Sequence, residues 1–205
     1  MRRDGRPSRW GLLAATMLLA AATTPGSPTQ VVETLHAAML DVMKQSAKLG
    51  YQERFSLLEP AIARAFDLDF MARKALGPEF DKLDPPKQQR WLQTFRTFMI
   101  ANYAGRFHGY EGQKFESLAE DPSAQDTVLV RTRLVDPAAD DVDLTYRLRK
   151  TDADWRIIDV YLKGTVSELA LRRSDFSALV AREGFDSLIA NVDGKVADLA
   201  SGKVK

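Results

Sequence analysis

The apolar residues of this chain change their spacing twice. From Gln30 to Tyr103 they recur every three or four positions, from Phe115 to Leu162 they alternate, and from Ser167 onward the wider spacing returns. A helix repeats a face every 3.6 residues and a strand every second residue. The chain is therefore expected to run helices, then strands, then helices, which predicts an α+β fold. The second switch is the sharper one. The stretch from Trp155 to Phe176 reads WRIIDVYLKGTVSELALRRSDF, a β-branched and aromatic run broken by Gly164 and followed by a helical pattern. On this strand Trp155, Ile157, Asp159 and Tyr161 share one face, and Arg156, Ile158, Val160 and Leu162 the other. Neither face is purely polar, so the strand either lies inside a covered sheet or lines an apolar ligand cavity.

The helical segments follow from stripes and punctuation. Val31, Val32, Leu35, Ala38, Met39, Val42 and Met43 form one stripe that Gly50 ends, with His36 beside it. Tyr51 to Asp67 makes a second helix containing Pro60. A short third helix, capped by Asp67 or Asp69, ends at Gly77-Pro78. The next begins at the N-cap Asp84 with Pro85 in its first turn, and it places Trp91, Leu92, Phe95, Phe98, Met99 and Tyr103 on one side. Such an aromatic stripe is core in the plain reading and a ligand box in the sharper one.

Strands are predicted at Phe115 to Leu118, Asp126 to Val135, Val142 to Arg149 and from Trp155 onward. Val142, Leu144, Tyr146 and Leu148 point inward, against Asp143, Thr145, Arg147 and Arg149. Short connections make successive strands antiparallel neighbours, a meander of three or four strands. Ser167 then caps a helix carrying Leu169, Phe176, Leu179 and Val180, and a last amphipathic helix follows Gly184.

The N-terminus places Arg2, Arg3, Arg6 and Arg9 before an uncharged apolar run from Trp10 to Ala22, the layout of a secretory signal peptide. Cleavage is expected after Ala22, with an uncleaved anchor as the competing reading. Residues 23–29, rich in Pro and Gly, read as a flexible tether, and residues 30–205 as a single domain. Removing residues 1–22 takes the net charge from +1 to −2. That near-neutral balance gives no sign of a nucleic-acid partner, and no basic cluster of the kind that holds anionic membranes stands in the sequence.

Catalytic and metal chemistry find little support. Cysteine is absent, and His36 and His108 lie 72 positions apart in no ligand spacing. Both read as structural or surface residues, and neither a metal nor another cofactor is expected. Gly105, Gly109 and Gly112 follow a helix rather than a strand, which removes the phosphate-loop reading. Asp159, an acid amid apolar neighbours, is either a perturbed general base or a partner of a backbone amide or of Arg147, Arg149, Arg172 or Arg173. Arg172 and Arg173 are the candidate headgroup anion site, because guanidinium matches phosphate bidentately.

Three stretches together resemble the MlaC-type family of periplasmic phospholipid-binding proteins: Ala75-Leu76-Gly77 leading through Asp84-Pro85-Pro86 to Trp91, Phe95, Tyr103 and Ala104; Trp155 to Val160 with Gly164 and Ser167; and Arg173, Phe176, Gly184, Asp186, Leu188 and Ile189. The wording Gly164-Thr165-Val166-Ser167-Glu168-Leu169-Ala170 departs from the usual family run and looks like the hopanoid-associated HpnM branch. The resemblance implies an apolar cavity for the tails of a phospholipid or hopanoid, without cofactor or turnover. It also implies an inner-membrane transporter of MCE/ABC or RND type as partner, with an outer-membrane acceptor beyond it. The expected lining comprises Phe95, Phe98, Met99, Tyr103, Val128, Val130, Leu144, Tyr146, Ile158, Val160 and Phe176, with Arg172 and Arg173 at the headgroup. Two other functions compete: a non-catalytic adaptor of a membrane complex, and a small hydrolase or isomerase using Asp159 with Tyr146 or Tyr161.

Overall fold

A computed structural model describes residues 26–152 and 154–203. The expected signal segment lies outside the described residues. The elements run α1 (Pro28–Gln45), α2 (Tyr51–Ala65), α3 (Leu68–Leu76), α4 (Pro78–Asp81), α5 (Pro85–Arg106), β1 (Lys114–Ser123), β2 (Thr127–Val135), β3 (Val142–Lys150), β4 (Trp155–Leu162), β5 (Val166–Ser167), α6 (Glu168–Glu183) and α7 (Phe185–Ala200). Helices flank one antiparallel sheet in the order β1-β2-β3-β4-β5, the expected α+β meander with one short strand added. Among the described residues no helix is long and apolar enough to cross a membrane.

The caps explain where helices start. Ser27 accepts from the Gln30 amide and Pro28 occupies the first turn, so α1 begins inside the segment read as a tether. Asp67 caps α3 through the Phe70 amide, and its other oxygen accepts from Arg149 Nε at 2.9 Å, tying this helix start to the sheet. The Asp67 amide donates to the Ile157 carbonyl at 2.9 Å, a second tie between the α2–α3 junction and β4. Asp84 caps α5 through Lys87, as its position before Pro85 predicts.

Helix α5 is central and buried on several sides. Trp91 and Phe95 are fully covered, and the Trp91 indole donates to the Ala72 carbonyl at 2.8 Å, which satisfies the one polar atom that its burial would otherwise strand. α7 packs along another flank of α5, at Gly105. A Cβ on Gly105 would lie 2.8 Å from Leu199 Cδ2 and 3.2 Å from Leu199 Cβ. The glycine is thus a point of close helix approach.

The strands depart from simple alternation at two places. β1 has a bulge between Ser117 and Ala119 and runs five residues beyond the expected Leu118. In β4 the pairing shifts: Tyr146 faces Val160, Arg147 faces Asp159, but Leu148 faces Ile157. Ile158 is therefore the extra residue of a bulge. The bulge moves Ile157 onto the face of Val160, so the two-face assignment expected for this strand fails at its middle. Four consecutive residues, Ile157 to Val160, are buried as a result.

Candidate functional site: an apolar pocket between sheet and helices

A largely apolar pocket opens where α3, α5 and the N-terminal end of α6 meet β3 and β4. It is lined by Met71, Met99, Asn102, Tyr103, Arg106, Phe107, Leu144, Tyr146, Val160, Leu162, Glu168 and Arg172, and its volume is about 110 Å³. Pockets that enclose drug-sized ligands hold about 300–1,000 Å³. The apolar pocket here is smaller than that.

Each lining element has a local reason for its placement. On α5, Met99, Asn102, Tyr103 and Arg106 fall at i, i+3, i+4 and i+7 and share one stripe. Asn102 turns its amide back to the Phe98 carbonyl at 2.7 Å. On the sheet, Leu144 and Tyr146 alternate inward on β3, and each pairs across the ladder with a lining residue of β4, Leu162 and Val160. The Tyr146 hydroxyl reaches His36 Nε2 on α1 at 3.0 Å. Burial raises the pKa of both Tyr103 and Tyr146, so both phenols stay neutral.

The polar rim comes from the start of α6. Glu168 and Arg172 stand at i and i+4 and form an ion pair at 3.2 Å, with side-chain exposures of 23% and 15%. The Arg172 guanidinium lies 4.8 Å from the centroid of the Phe98 ring. Desolvation lowers the Arg172 pKa, Glu168 opposes that, and Arg106 adds like-charge repulsion. A partly dehydrated cation over an apolar pocket, with a second arginine beside it, suits an anionic group attached to an apolar body.

The structure divides the expected lining residues. Met99, Tyr103, Leu144, Tyr146, Val160 and Arg172 come together around the pocket. Phe95, Phe98 and Phe176 instead belong to the packed core; Phe176 meets Trp91 and Phe98 edge-on at 5.4 and 6.1 Å between centroids. Val130 is wholly buried and Val128 half-buried, on the same ladder positions as Tyr146 and Leu148 but away from the opening. Ile158 is carried by its bulge to the opposite side of the sheet, where Arg173 also lies. The adjacent arginines part because neighbouring helical residues point about 100° apart. Sequence reasoning missed Met71, Asn102, Arg106, Phe107, Leu162 and Glu168. Two signals could have found some of them: Asn102 and Arg106 interrupt the Met99–Tyr103 stripe with polar groups, and Glu168–Arg172 is an i, i+4 pair.

Asp159 is fully engaged. Its Oδ1 accepts from the Val160 amide at 2.8 Å and the Leu169 amide at 3.1 Å, and its Oδ2 accepts from Ser167 Oγ at 2.6 Å. Ser167 Oγ in turn accepts from the Ala170 amide. The carboxylate fastens the first turn of α6 to β4, and Tyr146 is committed to His36. This is the backbone-amide partnership expected of a buried acid, and no arginine ion pair accompanies it among the described residues.

An α+β protein with one sheet and an apolar pocket rimmed by an arginine and a glutamate is therefore the class that fold and site define. The chain belongs to the MlaC family, described as "MlaC protein", whose family model matches residues 33–193. A solved structure of a phospholipid-binding protein from Ralstonia solanacearum, in complex with a phospholipid, is similar to it with a TM-score of 0.74. The two share 23% sequence identity over 85% of this chain and 99% of that one, a likeness of fold. No curated protein matches the chain.

Proposed function

We propose that this protein is a periplasmic phospholipid-binding carrier that shields lipid tails in the pocket between its sheet and helices while the lipid passes between membranes. The observation that carries the reading is the pocket itself: an apolar wall with a partly dehydrated Arg172 and its partner Glu168 at one edge, in a chain of the MlaC family. The phospholipid held by the Ralstonia solanacearum relative supports the choice of cargo. Apolar burial of several hundred Å² of tail, at about 25 cal/mol per Å², contributes on the order of 10 kcal/mol, enough to hold a lipid out of a membrane.

Loading requires the pocket to enlarge, and α6 is the wall with least to give up. Phe176 is its one fully buried side chain; Gly184 follows its C-terminal end with φ of 85°, and Gly164, with φ of 72°, lies in the turn before β5. An inner-membrane transporter supplies or receives the lipid, and an outer-membrane acceptor completes the route.

A finer reading assigns a hopanoid as cargo. It rests on the wording from Gly164 to Ala170, within which Glu168 lines the pocket. Native mass spectrometry of the mature protein, followed by extraction and identification of the lipid, tests both. A bound phospholipid supports the first reading and a bound triterpenoid the second. Protein that is empty under conditions preserving noncovalent lipid sinks both and leaves the adaptor role.

A further inference from the structure

Three basic residues far apart in the sequence meet on the outer side of the sheet. Lys74 of α3, Arg147 of β3 and Arg173 of α6 line a trough of about 250 Å³ together with Phe70, Ile158 and Leu169. None of the three cations has a carboxylate within 4.0 Å among the described residues. The trough's one acid, Asp159, spends its oxygens on Val160, Leu169 and Ser167.

Arg147 is held in place by hydrogen bonds, and Arg173 lies close over Gly77. Arg147 donates through Nε to Thr127 Oγ1 at 3.0 Å and through Nη2 to the Ala124 carbonyl at 3.1 Å, leaving its other N–H groups unused. Arg173 passes over the backbone of Gly77, where a Cβ would stand 3.0 Å from its Nε; Gly77 has φ of +57°. Three like charges lining one concavity repel one another, and an anion between them relieves that repulsion. Guanidinium groups match the oxygens of a phosphate, and that of Arg147 is already oriented by Thr127 and Ala124. The apolar floor made by Phe70, Ile158 and Leu169 asks for more than a free ion: an anionic group attached to hydrocarbon.

We propose that this trough is a docking site for the anionic phosphate headgroup of a membrane phospholipid, seating the protein on an acidic lipid surface. The site lies across the sheet from the carrier pocket and does not depend on what that pocket holds. Docking by this face leaves the rim formed by Glu168 and Arg172 to be presented independently.

The test is flotation of the mature protein with phosphatidylcholine vesicles, with and without phosphatidylglycerol. The wild type is expected to bind the phosphatidylglycerol vesicles, more weakly as salt rises, and to ignore the pure phosphatidylcholine ones. Lys74→Ala/Arg173→Ala should lose roughly twenty-five-fold in affinity, about fivefold per cation. Lys48→Ala/Lys203→Ala, which removes the same charge elsewhere, should retain wild-type binding. Lipid retained in the inner pocket, read by native mass spectrometry, should be the same in all three proteins. Equal losses in both double variants, no vesicle binding by the wild type, or binding of inorganic phosphate without vesicle binding would each overturn the proposal.

Discussion

At the scale of single residues, His36 shows how a polar group lives in this core. It is 3% exposed, stacks on Phe115 at 3.8 Å between centroids, and reaches the Tyr146 hydroxyl at 3.0 Å. Burial lowers its pKa to about 3, against 6.5 in an open chain. Between those values the unfolded chain binds a proton that the folded one refuses, so stability falls as pH falls, by about 1.4 kcal/mol per pH unit. Urea unfolding of the wild type should therefore weaken between pH 6.5 and about pH 5, and His36→Gln should remove about that slope; an unchanged slope would count against a neutral buried imidazole. The helical spacing marked His36 as lying beside the α1 stripe. Its partner could not be read there, because Tyr146 is 110 positions away.

Asp159 is the other residue whose role is decided by its contacts. Asp159→Ala removes three hydrogen bonds to a charged acceptor and should cost about 2–4 kcal/mol. Hydrogen exchange should speed up in residues 168–176 well before the sheet is affected. A loss confined to global stability, without that local signature, would mean the carboxylate does not clamp α6. The sequence placed an acid on a covered strand and allowed the amide partnership; it could not choose the partners, since these come from the bulge at Ile158 and from the turn that brings Ser167 back to Tyr161.

Among the elements, α5 and α7 meet through a glycine. Gly105→Val should destabilise by about 1–3 kcal/mol, because the branched side chain must enter space filled by Leu199. Combining it with Leu199→Ala should cost less than the sum of the two single changes, and additivity in that double-mutant cycle would deny the close approach. This contact was invisible in the chain, where Gly105 looked like one of three loosely spaced glycines. The caps behaved otherwise: Asp84 and Ser167 were readable because a cap acts on an amide three residues away, within the same stretch of sequence. The aromatic stripe of α5 was legible too, but not its division. Trp91, Phe95 and Phe98 enter the core while Met99 and Tyr103 reach the pocket, because the first three fall at i, i+4 and i+7 on one face and Met99 and Tyr103 lie about 100° further round the helix.

On the scale of the whole molecule, the proposed carriage of lipid depends on more space than the pocket of about 110 Å³ holds. Leu162, half-buried at the pocket's edge, can accept a larger side chain with little strain on the core. Leu162→Trp should leave the unfolding midpoint within a few degrees of wild type and reduce co-purified lipid several-fold by native mass spectrometry. Val130→Trp should instead unfold the protein, since Val130 is fully buried away from the opening. Similar lipid retention in Leu162→Trp and the wild type would place the tails elsewhere.

Local chemistry was enough to determine the order of helices and strands, most caps, the antiparallel meander and the apolar stripes, because each of these acts over two to four residues along the chain. The family could be recognised from motifs for the same reason: Leu76-Gly77, the Trp155 strand and the closing helix are each short and contiguous. Only the folded molecule decided which apolar residues face a pocket and which fill the core, since Phe98 and Met99 both read as members of one broad apolar face and are told apart by the neighbours that reach them. It also sent Arg172 inward and Arg173 outward, and it drew Lys74, Arg147 and Arg173 into one trough from a sequence with no basic cluster. The reason is physical. A periodic pattern says that a face is buried, but the identity of what covers it is fixed by contacts between segments dozens of residues apart, and a single extra residue at Ile158 is enough to turn a side chain to the other side of the sheet.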